Sequence, residues 1–236
     1  MIQTPAASPS SQPSSTYSLP TPSEVIPKLT PTTGQELTAT MTVTPTPPPK
    51  YFTEEWNGAT DEWTWFSTKG NDNLWDVYTE AGVLVFYLTG KNIDGYFIYK
   101  PQVYDKVMIT TQVENRAFAK GTFVIICNYS ETLGWYEFDI GSDGLWALRA
   151  HDTQGNSGYL DMLSGGSKSI RTRFNVNEYS ATCDGAHLTL IANGQNIAEF
   201  TDTILNLKTG KIGLGVLSTD QVPVLMESAW VRVNQP

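Results

Sequence analysis

The chain changes character abruptly near residue 50, and that break limits what it can fold into. Residues 1–50 hold eleven of the fourteen prolines and close with Thr44-Pro45-Thr46-Pro47-Pro48-Pro49, whereas all seven tryptophans and ten of the eleven tyrosines come later. With Tyr17 as its one aromatic, the first segment has too little apolar surface to offset about 1–2 kcal/mol of backbone entropy per ordered residue. Residues 1–50 are therefore expected to be a disordered Ser/Thr/Pro-rich spacer, kept extended by its prolines. Removing it leaves roughly 185 residues, the usual size of one domain, so residues 51–236 are expected to form one folded unit.

Beyond the break, no long window has helical periodicity. Alternation of apolar and polar residues, bounded by Gly, Asn and Asp, recurs instead. The pattern predicts strands at 74–79, 83–88, 96–99, 106–113, 122–129, 135–140, 145–151, 178–183, 187–192, 197–200, 211–217 and 224–233. Turn residues agree: Asn193-Gly194 suits a two-residue hairpin, and Asp143-Gly144, Asp184-Gly185 and Thr209-Gly210 are similar punctuation. The expected fold is all-β, a two-sheet antiparallel jelly-roll sandwich.

The net charge of -9 lies wholly in the folded part, because Glu24 and Glu36 are balanced by Lys28 and Lys50. An acidic domain with scattered cations argues against nucleic acid as a partner. No run is long and apolar enough to span a bilayer, and the first thirty residues lack the apolar stretch of a secretory signal. A long Thr/Pro spacer nevertheless suits a surface protein that must stand off an envelope. The expected location is extracellular or at the cell surface, with the export signal outside this sequence. Cys127 and Cys183 are the two cysteines. Two buried thiols in a reducing compartment is one reading; the even count beside such a spacer favours a disulfide. His151 and His187 stand at no zinc-like spacing from them.

On the segment Trp135–Ile140, Tyr136, Phe138 and Ile140 share one face and Trp135, Glu137 and Asp139 the other. If Ser142-Asp143-Gly144 is a three-residue loop with Gly144 left-handed, Ile140 pairs with Trp146, Phe138 with Leu148, Glu137 with Arg149 and Trp135 with His151. The set Trp135, Glu137, Asp139, Arg149 and His151 is the candidate ligand surface, since rings stack on sugar C–H groups and carboxylates accept from hydroxyls. The ordinary alternative is a solvated sheet face carrying one cross-strand ion pair, with Trp135 covering an edge. Either way Trp135 is expected outside the core, where truncation costs little stability. Asn71-Asp72-Asn73 and Asp202 carry oxygen donors that suit calcium, though turn chemistry is their ordinary role. No other cofactor or metal site is indicated. Asn128-Tyr129-Ser130 matches a glycosylation sequon.

Several segments together resemble bacterial concanavalin A-like sandwich domains. They are Val124–Tyr129, Gly134-Trp135-Tyr136-Glu137-Phe138-Asp139-Ile140 with Asp143-Gly144, Cys183-Asp184-Gly185, Leu188–Gly194, Asp202 before Gly210-Lys211-Ile212-Gly213-Leu214, and Trp230–Val233. Relatives of this kind include lectin-like, laminin-G-like and keto-sugar hydrolase domains, and sandwiches with cysteines at these two places imply that Cys127 pairs with Cys183. The resemblance implies the fold and leaves function open, because this fold hosts binding modules, glucanases and structural domains. Laminarinase-type members carry Glu-x-Asp-x-Glu or Glu-x-Asp-x-x-Glu on one strand. This chain reads Glu137-Phe138-Asp139-Ile140-Gly141-Ser142-Asp143, with glycine and serine where the second glutamate belongs. Retaining hydrolysis needs two carboxyl groups about 5–5.5 Å apart. The expected function is a non-catalytic carbohydrate-binding module with a polysaccharide or glycan partner. A keto-disaccharide or β-glucan hydrolase and a structural adhesion domain are the alternatives.

Overall fold

The computed structural model describes residues 48–155 and 158–236. The spacer expected over residues 1–50 lies outside them except for its last three residues. Pro48 and Lys50 are already held there, their carbonyls accepting from Gln102 Nε2 (2.9 Å) and the Tyr104 hydroxyl (2.7 Å).

Fifteen strands occupy the described residues, with no α-helix. They are β1 (Phe52–Glu54), β2 (Trp63–Lys69), β3 (Trp75–Glu80), β4 (Val83–Leu88), β5 (Asp94–Tyr99), β6 (Lys106–Asn115), β7 (Gly121–Ser130) and β8 (Gly134–Gly141), followed by β9 (Leu145–Asp152), β10 (Gly158–Gly166), β11 (Val176–Asp184), β12 (His187–Ala192), β13 (Gln195–Thr201), β14 (Lys211–Ser218) and β15 (Val224–Asn234). The first sheet runs β13-β12-β11-β6-β15-β4-β3, with β1 added along the end of β15; the second runs β10-β9-β8-β7-β14-β5-β2. The all-β two-sheet sandwich is therefore as expected. Strands β1, β2 and β10 are additions to the twelve expected. β10 escapes a pattern search because its Gly- and Ser-containing sequence is half exposed and its pairing is broken by a bulge between Asp161 and Leu163.

Alternation builds the core between the sheets. In β14, Ile212, Leu214 and Val216 point inward and are buried, while the positions between them are Lys211, Gly213, Gly215 and Leu217. The glycines make room on the other face, since a Cβ on Gly215 would stand 2.7 Å from the Tyr96 ring. Phe123 and Ile125 of β7, Phe138 and Ile140 of β8, and Leu188 and Leu190 of β12 fill the interior. Cys127 of β7 and Cys183 of β11 are both buried and joined by a disulfide, so one covalent link ties the two sheets through the core.

Two polar side chains reaching into this core, Tyr136 and Asp202, are well partnered. The Tyr136 hydroxyl donates to Asp202 Oδ2 (2.7 Å) and accepts the Leu207 N–H (2.9 Å). Asp202 also accepts the N–H groups of Ile204, Leu205 and Asn206 at 2.7–3.1 Å, which is turn chemistry rather than calcium ligation. Asn71 likewise accepts the Asn73 N–H at the start of a 3-10 turn over Asp72–Leu74. Among the described residues no three His, Cys, Asp or Glu side chains gather as a metal site requires. The sequon asparagine, Asn128, is buried with φ of 53°, and its amide donates to the carbonyls of Gly185 and Leu207. A glycan on that nitrogen has no room and would cost both bonds.

Candidate functional site

Strands β8 and β9 pair as their side chains dictate. Trp135 faces His151, Glu137 faces Arg149, Phe138 faces Leu148 and Ile140 faces Trp146, around a three-residue loop in which Gly144 has φ of 92°. β10 extends both outward rows: Tyr159 pairs with His151, and Asp161 with Arg149. The outer face of the second sheet thus carries a row Trp135–His151–Tyr159 beside a row Glu137–Arg149–Asp161.

This face is concave. Strands β10 and β5 stand five places apart, which in a flat sheet would separate them by about 24 Å. The Tyr159 and Tyr96 hydroxyls nevertheless meet at 2.6 Å, and two tyrosine side chains end to end do not span that gap. The same curvature brings Phe66 of β2 against Trp135 of β8, ring centroids 5.9 Å apart. Tyr159 also bonds Thr68 Oγ1 (3.0 Å), so it roofs the face from one sheet edge to the other.

The roof overturns the expectation that Trp135 lies outside any core. It is 3% exposed, stacked on His151 (4.0 Å, 4° between planes) and enclosed by Phe66, Tyr96 and Tyr129. Nor is the Glu137–Arg149 pair a solvated one: Glu137 is fully buried and Asp139 nearly so. Arg149 makes its close contact with Asp139 through Nη2, while Glu137 Oε1 lies 3.9 Å from the same nitrogen. The guanidinium also sits 4.7 Å from the centre of the Tyr159 ring, a cation–π contact.

One cation thus serves two buried carboxylates, and the electrostatics follow. Burial, then the charge of Asp139, pushes the Glu137 carboxyl upward, and Arg149 opposes them only in part. Burial also raises Asp139, opposed chiefly by Arg149. His151 is shifted down by burial, so its ring is held neutral against Trp135. Both Glu137 oxygens, Asp139 Oδ1, Arg149 Nε, Trp135 Nε1 and His151 Nδ1 are buried without a hydrogen-bond partner. Tyr96 and Trp135 favour the ionised form of Glu137 weakly, but neither reaches it with hydrogen-bonding geometry. Orphaned polar atoms at this density are costly to bury.

Beside the roof an open groove of about 530 Å³ is lined by Asn92, Asp94, Asp139, Arg149, Tyr159 and Asp161, with Leu145 and Trp146 toward its end. All five expected site residues therefore gather on one face, but only Asp139 and Arg149 line the groove. The residues missed by pattern are Asp94, Tyr96, Tyr159 and Asp161. Their signal was present, since acid and aromatic alternate at 94/96 and 159/161 as they do at 135/137/139. Gly141, two residues beyond Asp139, also lines the groove. A Cβ there would stand 2.5 Å from Asp143 Oδ1, and Asp143 is held by the Leu145 N–H (3.2 Å) and Lys120 Nζ (3.4 Å).

No protein-family model matches the chain, and no curated protein matches it in sequence. Solved structures do. A glycoside hydrolase family 16 protein of Bacteroides ovatus, solved with a glucan product, superposes with a TM-score of 0.57 at 13% identity, over 78% of this chain and 99% of that one. The laminarinase catalytic domain of Thermotoga maritima gives 0.58 at 13% identity, over 80% and 99%. The carbohydrate-binding module CBM66 of Bacillus subtilis gives 0.50 at 10% identity, over 69% and 91%. Hydrolases and binding modules thus share this architecture, and what the likeness establishes is the fold: the chain carries a concanavalin A-like jelly-roll sandwich.

Proposed function

We propose that this domain is a non-catalytic carbohydrate-binding module whose concave groove takes a polysaccharide chain. The observation that carries this reading is Gly141. It stands in line with Glu137 and Asp139, where the second catalytic glutamate of a laminarinase-type strand would be, and the space over it is filled by the tethered Asp143. A groove with Asp94, Asp161 and Arg149 as hydrogen-bonding groups and Tyr159 as an aromatic wall has the chemistry to hold sugar hydroxyls. Glu137, sealed beneath the roof, is not placed to protonate a leaving oxygen in the groove. On this reading the disulfide suits an extracellular location.

The test is calorimetric titration of the full chain with mixed-linkage β-gluco-oligosaccharides, preceded by a glycan array to find the preferred sugar. The expected result is binding that Tyr159→Ala weakens at least about tenfold, with no reducing sugar released. Absence of binding to every glycan on the array sinks the reading.

One observation favours a second reading. A buried carboxyl driven upward beside an ionised partner is how a general acid is prepared. Hydrolysis would require Tyr159 to swing aside and expose Glu137. Release of reducing sugar from β-glucan, abolished by Glu137→Gln, would establish that reading in place of the first.

A further inference from the structure

At one end of the sandwich, away from the groove's tyrosine roof, two phenylalanines break the rule that large rings are covered. Phe118, in the β6–β7 loop, is 96% exposed; Phe174, in the β10–β11 loop, is 44% exposed. Their rings meet edge to face with centroids 5.1 Å apart. Beside them lies a cavity of about 500 Å³, whose polar lining includes Lys120, Ser142, Arg173 and Gln221, with Asp143 as its one acidic residue. The walls are tied together: the Ser167 N–H donates to Gly144 O (3.0 Å) and the Arg173 N–H to Ser142 O (3.0 Å), pinning the β10–β11 loop to the β8–β9 turn.

The charge around this cavity opposes that of the molecule. In a chain of net charge -9, no acidic residue occurs between Asp161 and Glu178, while Lys168, Arg171 and Arg173 do. None occurs between Glu114 and Glu131 either, where Arg116 and Lys120 stand. Arg116 is taken up by Glu114 and Glu227, and Lys120 by Asp143 at 3.4 Å. Among the described residues Arg173 makes no ion pair, and its backbone is held at φ of 63°, an unusual conformation for a residue with a Cβ. An exposed guanidinium carried on a pinned loop, with no carboxylate paired to it among the described residues, is available to take one from a ligand.

We propose that this end cavity is a second saccharide site, selective for acidic sugars. The Phe118–Phe174 pair offers apolar ring surface to pyranose C–H groups, and Arg173 receives a carboxylate or sulfate, with Lys120, paired with Asp143 on the same wall, adding positive charge beside it and Ser142 and Gln221 available for hydroxyls. The concavity and its polar lining distinguish this occupant from an anionic membrane, which would strip water from those polar groups without replacing their hydrogen bonds. The site shares the Asp143 wall with the groove but does not rest on the neutral-glucan reading.

The full chain is titrated calorimetrically with trigalacturonate, with the matching neutral galacto-oligosaccharide, and, in a sedimentation assay, with vesicles containing phosphatidylserine. Trigalacturonate is expected to bind, more weakly as salt rises, and the neutral trimer not to. Phe118→Ala and Arg173→Gln should each weaken binding about tenfold. Phe118→Ala should leave the melting temperature and any neutral-glucan binding in the groove unchanged. If Arg173→Gln fails to fold, Lys120→Gln serves in its place. Equal affinity for the acidic and neutral trimers, no effect of the two variants, no binding of trigalacturonate, or binding to vesicles alone would each overturn the proposal.

Discussion

The two faces of the second sheet obey the same alternation and both bury large side chains, yet they are built from opposite chemistry. The inner face, Tyr136, Phe138 and Ile140 with Leu148 and Ala150, joins the core between the sheets, and its one hydroxyl has both an acceptor and a donor. In the outer face, sheet curvature and Tyr159 seal Trp135 and Glu137 and half-cover Arg149 and His151, and six polar atoms of Trp135, Glu137, Asp139, Arg149 and His151 have no hydrogen-bond partner. Burial alone therefore does not identify a structural core. The inner face has traded water for hydrogen bonds and dispersion contacts, whereas the outer face has given up water without a full replacement, which folding alone does not favour.

Truncating one ring on each face tests the two layers most directly. Phe138→Ala and Trp135→Ala should each cost about 3–5 kcal/mol in chemical denaturation, as deletions of buried rings do. A loss below about 0.5 kcal/mol for Trp135→Ala, the size of a surface change, would mean that the outer layer is open in solution. A smaller effect is expected at Tyr136. Removing its hydroxyl with Tyr136→Phe leaves Asp202 and the Leu207 N–H short of a partner and should cost about 1–3 kcal/mol; an unchanged melt would show that the inner polar contacts are dispensable.

The smallest effect sharpens the contrast through pH. Glu137 holds its proton more tightly folded than unfolded, so the stability this provides is complete below its ordinary carboxylate range and is lost as pH rises through that range toward about 8. Glu137→Gln removes that loss and should raise stability at neutral pH by about 1 kcal/mol, with no gain near pH 4, where the carboxyl is protonated in both states. Destabilisation at neutral pH would show instead that the ionised Glu137 is wanted by Arg149. His151 acts with the opposite sign. Its neutral form is favoured by burial, so stability should fall as pH drops below its ordinary value near 6.5.

Much of the architecture was legible in the chain. Alternation marked twelve of the strands, and Ser142-Asp143-Gly144 set the β8–β9 register because a three-residue loop with a left-handed glycine leaves one pairing that matches apolar to apolar and acid to base. Strand β10 was not legible, since its bulge and half-exposed edge position blur the period of two. The missing second glutamate could be read directly from Gly141 and Ser142.

What alternation determines is which side chains share a face, because successive residues of a strand point to opposite sides whatever surrounds them. What it leaves open is whether that face meets water. Trp135 is buried because a sheet that curls brings Phe66, four strands away, within 5.9 Å of it and lets Tyr159 close on Tyr96. Curvature is a property of the whole sheet, arising from its twist, its bulges and glycines such as Gly213 and Gly215 that admit side chains from the neighbouring strand. Alternation thus places Trp135, Glu137, Asp139, Arg149 and His151 on one face, and the curl of the whole sheet then seals Trp135 and Glu137 beneath a tyrosine, leaves His151 half-covered and opens the groove beside Asp139 and Arg149.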